Sequence, residues 1–150
     1  MVQSEDLLTI TPDTHRTVYV SGPMSGLPDR NFTAFHEHSK RLREMGFTVL
    51  NPAASSEELG IRGHHTHEEI AHVLPQAFRA DITSVLTCDA VVLIGEPEHI
   101  EKSVGADCEL RIARWLGKPI VSHADLREVR LAFPQVSVLS EDQLKESTQC

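Results

Sequence analysis

Aromatic side chains are scarce in this 150-residue chain, which has one Trp, one Tyr and five Phe. Proteins that hold single-stranded nucleic acid stack its bases on such rings, so that class is disfavoured. Basic residues are also few, 14 Lys and Arg against 22 Asp and Glu, for a net charge of -8. A polymer of phosphates needs the opposite balance. No nucleic acid polymer is therefore expected as a partner, and any nucleotide ligand should be a monomer. Cysteines 88, 108 and 150 are odd in number and form no C-x-x-C pair. This suits a reducing compartment, the cytoplasm by default, better than a disulfide framework. No apolar run approaches the roughly 20 residues of a membrane span. The opening "MVQSEDLLTI" is acidic where a secretory leader would be basic.

What is present is ordinary globular material, 40% hydrophobic and 24% charged. One domain over residues 1–150 is expected, with its core in about 17–140 and polar ends. Strand and helix periods alternate along it. "TVYVSG" (17–22) reads as a buried strand. A helix over about 31–45 follows, with Phe32, Phe35, Leu42 and Met45 on one stripe and Gly46 as terminator. "FTVLNP" (47–52) is the second strand. Residues 53–66 show no period and read as a loop, and a helix over about 67–86 should be disturbed at Pro75. "AVVLIG" (90–95) has the unbroken apolar character of a central strand. A loop (96–104), a helix over about 106–116 capped by Gly117, and a strand at 118–123 follow. "VSVLS" (136–140) is a fifth candidate strand before a polar tail. The alternation predicts an α/β fold, a doubly wound, flavodoxin- or Rossmann-like parallel sheet of about five strands with helices on both faces.

In such folds ligands bind beyond the carboxyl ends of the strands, where strand order reverses. The run "SGPMSGLP" (21–28) leaves the first strand at that end with more Gly and Pro than a turn requires, which suits close approach of a ligand. The helix behind "SVGADCELRIARWLG" (103–117) should begin at the same crevice. Ser103 and Gly105 there offer either an anion site or an ordinary cap. Glu109 falls in line with Ile112, Ala113 and Leu116, which puts a carboxylate on the stripe facing the sheet, in the first helical turn. It is a candidate nucleophile or base, with a capping glutamate as the alternative. Asp107 belongs with Arg111 and Arg114 on the wetter side. Asp89 precedes the third strand and reads as a turn residue at the amino edge. Asp81 lies eight residues earlier, about 12 Å nearer the carboxyl edge at helical rise, and can reach the crevice.

These residues resemble a known family. "YVSGPMSGLPDRNFTAFHEHSKRLREMGFTVLNPA", "RADITSVLTCDAVVLI" and "SVGADCELRIARWLGKPIV" are similar to the nucleoside 2-deoxyribosyltransferase-like superfamily, in a largely uncharacterised phage and bacterial branch, over about residues 17–123. Relatives include deoxyribosyltransferases and 2'-deoxynucleoside 5'-monophosphate N-glycosidases. In them a glutamate of an S-x-G-x-x-x-E motif attacks C1' of the sugar, and the motif falls here on Ser103, Gly105 and Glu109. The resemblance implies Glu109 as nucleophile, Asp81 as the acid for the departing base and Tyr19 as the hydroxyl orienting Glu109. Gly22, Met24 and Gly26 would line sugar and base, and Ser103 and Gly105 the 5' end. Ser21, Pro23 and Asn31 complete the substrate-binding set. A small-molecule nucleoside or nucleotide is the implied partner, and a homodimer or higher homo-oligomer the implied state. No cofactor is implied.

The chain departs from the family in two places. "GEPEHIEK" stands where the branch has a Gly-Trp, removing an aromatic that could stack on a base. The basic residue that some relatives place in the first loop to grip phosphate is replaced at its expected position by Ser25. A nucleotide-binding protein without turnover thus remains an alternative. A third reading, a metal hydrolase, rests on "HHTHEEIAH" with His64, His65, His67 and His72, but His67 and His72 are five apart and H-E-x-x-H is not matched. "HEH" (36–38) reads as a solvated helix face.

Overall fold

The computed structural model describes residues 7–95 and 103–131. Four strands form one parallel sheet: β1 (Thr17–Ser21), β2 (Thr48–Leu50), β3 (Ala90–Leu93) and β4 (Ile120–Ser122), in the order β2-β1-β3-β4. Register is fixed by pairs such as Tyr19 with Leu50, Tyr19 with Val91, and Val92 with Val121. The chain moves outward from β1 to β2 and then crosses to β3 on the other side, so strand order reverses between β1 and β3. The fold is α/β with a Rossmann-like parallel sheet, four strands among the described residues where about five were expected. The fifth candidate, 136–140, lies outside them.

Along the strands, side chains alternate between the two faces of the sheet. Val18, Val20, Val49, Ala90, Val92 and Val121 point to one apolar cluster, and Tyr19, Val91, Leu93 and Ile120 to the other. Helix α1 (Phe32–Glu44) covers the first face with Phe32, Phe35 and Leu42. Met45, expected on that stripe, is 50% exposed because the helix ends before it, and Ser39 takes a buried place instead. The second face is covered by α5 (Val104–Trp115) through Ala106, Leu110 and Ala113.

The stretch read as a loop at 53–66 begins with a helix, α2 (Pro52–Glu58). Asn51 caps it, its Oδ1 accepting from Ala53 N at 3.0 Å, and Pro52 supplies a first residue with its φ already set. The predicted helix over 67–86 is two helices, α3 (His67–Ile70) and α4 (Leu74–Thr87), parted at residues 71–73 with Pro75 in the first turn of α4. Helix α4 spans both clusters, placing Ala77 in the first and Val85 in the second. The "HEH" segment does more than face water. His36 Nε2 lies 2.6 Å from Glu57 Oε1, tying α1 to α2, and the His38 ring meets that of His123 edge-on at 4.5 Å. Asp89 closes the amino edge, its Oδ2 accepting from Thr17 N at 2.9 Å. Among the described residues no helix is long and apolar enough to cross a membrane.

Candidate active site

Strand period places the first two groups. Tyr19 and Ser21, two apart on β1, point to the same face, the one under α5. On α5 the buried positions are Ala106, Glu109, Leu110 and Ala113, spaced i, i+3, i+4 and i+7. This corrects the predicted stripe, since Ile112 is half-buried and Leu116 is 48% exposed. Glu109 thus enters the interface between helix and sheet, only 6% exposed. There the Tyr19 hydroxyl donates to its Oε2 at 3.1 Å and the Ser21 hydroxyl to its Oε1 at 2.9 Å. Helix α5 begins at Val104, so Glu109 is its sixth residue and not in the first turn. Two hydroxyls, not the helix end, support its charge.

Helical period on α4 places the next. Leu74, Ala77, Phe78 and Asp81 share one face and line a cleft of about 290 Å³ together with Glu109, Gly22, Met24, Ser103 and Gly105. Burial raises the Glu109 pKa to about 7, against the opposing pull of the Ser21 and Tyr19 hydrogen bonds. Burial and the Glu109 charge raise that of Asp81 to about 8. Burial, then the charge of Glu109, holds the Tyr19 phenol well above its ordinary value, so it stays a donor. Two acids in one cleft are thereby kept from ionising together near neutral pH. A larger cleft of about 540 Å³ runs past Lys118, Glu128 and Arg130, but holds no acid pair.

The loop after β1 approaches as its glycines suggest. A Cβ on Gly22 would lie 2.5 Å from Ile94 Cγ1 and 2.9 Å from Ile94 O, so only glycine lets the loop pass the end of β3. Met24 lines the cleft and packs on the first cluster. Ser103 lines it while capping α5, its Oγ accepting from Ala106 N at 3.4 Å. Four members of the predicted set sit otherwise. Ser21 is fully buried and engaged with Glu109. Pro23 is buried against Gly95, and its carbonyl accepts from Asn31 Nδ2 at 3.0 Å, so Asn31 braces the loop. Gly26 turns the exposed loop with φ +81°.

Sequence reasoning missed several lining residues: Arg30, Ser56, Phe78 and, as a cleft residue, His67. Ser25 lines the cleft at the position considered for a basic residue, and Arg30, further along the same loop, lines it too. Arg30 is carried on a turn, Pro28–Asn31, in which Asp29, Arg30 and Asn31 all have positive φ (56°, 50° and 60°). Asp and Asn tolerate this region, whereas a left-handed Arg costs about 1–2 kcal/mol. No propensity rule foretells such a turn. Phe78 supplies an aromatic wall one helical turn from Asp81, and a helical period counted back from Asp81 could have found it. Within the His-rich stretch, His64 and His65 tilt against each other and Thr66 caps α3 reciprocally with Glu69. Among the described residues no three His, Cys, Asp or Glu side chains converge as metal ligands would. The segment at 96–102, where the expected Gly-Trp is replaced, lies outside the described residues.

Residues 16–122 match the family described as a domain of unknown function, DUF4406. Among solved structures, the fold is similar to that of a 2-deoxyribosyltransferase from Bacillus psychrosaccharolyticus, described as a biocatalyst for nucleoside synthesis. The TM-score is 0.50 at 20% identity over 71% of this chain and 70% of that one. At that identity the likeness concerns the fold. No curated protein matches.

Proposed function

Since the chain belongs to the DUF4406 family, whose description assigns no activity, we propose from its own site that it cleaves the N-glycosidic bond of a 2'-deoxynucleoside or its 5'-monophosphate. One observation carries the reading: a buried glutamate held by two hydroxyl donors shares the switch-point cleft with a second acid of higher pKa. The fold shared with a 2-deoxyribosyltransferase supports it.

Environments that push two carboxyls apart assign their roles. Glu109, whose charge the Tyr19 and Ser21 hydroxyls support, is the nucleophile. Asp81 keeps its proton and is the general acid. As the bond from C1' to the base nitrogen breaks, Asp81 protonates the base and Glu109 Oε bonds to C1', giving a glycosyl ester and a free base. Water or a second base then attacks C1', displacing Glu109 and returning a proton to Asp81. Tyr19 and Ser21 keep the carboxylate aimed as its charge is consumed and restored. Phe78 offers the base a stacking face, standing in for the aromatic absent from the following loop. The resting state is proposed to be a homodimer or higher homo-oligomer, for which Trp115, 90% exposed, Leu116 and Leu86 offer apolar area.

The reading is tested by incubating the protein with a panel of 2'-deoxynucleosides and monophosphates and separating free base by chromatography. Base release by the wild type, lost in Glu109→Gln, is expected. A variant as active as wild type would overturn the mechanism.

A further inference from the structure

We propose that Gly63 is a specificity-determining position: its bare Cα keys the segment after α2 onto the turn that ends the first loop, and this contact holds the cleft narrow enough to favour a one-ring base over a two-ring base. The choice between bases rests on the glycosidic reading, whereas the keyed contact rests on geometry alone.

Two walls of the cleft come from segments well apart in sequence. The first loop contributes Met24, Ser25 and Arg30, and the stretch from α2 to α3 contributes Ser56 and His67. Gly63 lies between the latter two, and Asp29 is next to Arg30. A Cβ on Gly63 would stand 1.8 Å from Asp29 Oδ1, 2.7 Å from its Cγ and 2.8 Å from its carbonyl oxygen. Contacts that short do not occur, so any larger residue at 63 must push one wall away from the other. Gly60 turns the chain with φ +86°, but Gly63 has no positive φ, so the close approach and not the backbone angle requires glycine there. Asp29 is exposed and Gly63 half-buried, which puts the contact at the rim, while Glu109 lies buried at the other end.

Both partners in the contact are braced. On one side Asn31 Nδ2 donates to Pro23 O at 3.0 Å, and Thr33 Oγ1 to Asp29 Oδ2 at 2.9 Å. These bonds hold a turn whose three left-handed non-glycine residues would relax if released. On the other side Ile61 is 1% exposed in the first apolar cluster, Arg62 Nη1 donates to Glu57 O at 2.9 Å, and Arg62 N to His65 Nδ1 at 2.9 Å. The reciprocal cap of Thr66 and Glu69 fixes the start of α3 beyond. With both segments held, their one point of close approach sets the spacing of the walls. The cleft so closed measures about 290 Å³. That is the lower end of ligand pockets, which run from about 300 to 1,000 Å³. A sugar carrying one ring makes a smaller demand on this space than a sugar carrying two fused rings.

The test is Gly63→Ala in the full chain, with two readouts. In hydrogen exchange, peptides covering 22–31 should exchange faster than in the wild type, although the substitution is more than 30 residues away, while peptides of β3 keep their protection. In turnover of pyrimidine and purine 2'-deoxynucleosides and their monophosphates, the wild type should favour the pyrimidines. The variant should lower the pyrimidine-to-purine ratio of kcat/KM by about 10-fold, the worth of one small group in a fitted pocket. The change should fall mainly on KM and leave the pH profile in place, because the acid pair is not at the rim. Asp29→Gly makes room for the added methyl, so the double variant should recover part of both effects. If Gly63→Ala fails to fold, Asp29→Gly alone, which empties the contact from the other side, should speed exchange over 60–66 and shift the ratio in the same direction. Unchanged exchange over 22–31, or a ratio that the variants do not move, would overturn the inference. Base release by the wild type with no preference for one ring would sink the base selection and leave the glycosidic reading intact. Faster exchange in the variant, without base release by the wild type from any substrate, would sink that reading and leave the keyed contact standing.

Discussion

Replacing Glu109 by Gln should stabilise the protein, and by an amount that depends on pH. In the unfolded chain the carboxyl titrates near 4.5, and in the folded chain burial lifts it to about 7. Below pH 4.5 both states hold the proton and folding pays nothing for it. As pH rises through 4.5 the unfolded chain ionises first, so stability falls until the folded carboxyl also ionises near pH 7. Each tenfold change in proton affinity is worth about 1.4 kcal/mol, so the penalty at pH 8 is about 3 kcal/mol. Gln does not titrate and escapes it. The raised pKa of Asp81, partly due to the charge on Glu109, should relax as well, an effect of the same sign. Urea unfolding of both proteins at pH 5 and pH 8 measures the difference directly. The gap in favour of the variant should widen by about 2–3 kcal/mol between the two pH values. A gap that stays constant would refute the claim that Glu109 is buried at a cost for use.

Turnover should follow a bell in pH with its maximum between about 7 and 8, where Glu109 has lost its proton and Asp81 retains it. Ser21→Ala removes one donor to the Glu109 charge and should move the acid limb upward by about one pH unit, with no such move if Ser21 only fills space. Gly22→Ala should cost about 1–3 kcal/mol in a melt and most of the activity, because its Cβ meets the immovable Ile94 carbonyl. Asp89→Ala should cost about 1 kcal/mol through the lost bond to Thr17 N while leaving the pH profile of turnover in place. A specific catalytic loss at Asp89 with an unchanged melting temperature would exchange its role with that of Asp81.

The four strands could be read from short apolar runs, the exit from β1 from its Gly and Pro content, and the inward turn of Glu109 from the helical period of 3.6. Helix α2 was hidden because "PAASSEE" buries only small residues, so it has no apolar stripe; its signal was the Asn51-Pro52 start. Ser21 was read as a substrate contact, since nothing in a sequence tells which of two partners on a buried face a hydroxyl will choose. Arg30 was invisible for a different reason. Its place depends on a left-handed turn that local preference opposes and that only Asn31, Thr33 and the distant Gly63 sustain. Phe78 was passed over because an apolar residue on a helix reads as core until the cleft beside it is seen.

The central claim is that Glu109 forms a bond to the sugar. Its most direct test is acid quenching of the protein during turnover of a 2'-deoxynucleoside monophosphate, followed by proteolysis and mass spectrometry of the peptide bearing Glu109. A 2-deoxyribosyl 5-phosphate ester on that peptide, absent from Glu109→Gln, is predicted. Release of free base with no adduct on that peptide, and at the same rate in Glu109→Gln, would contradict it.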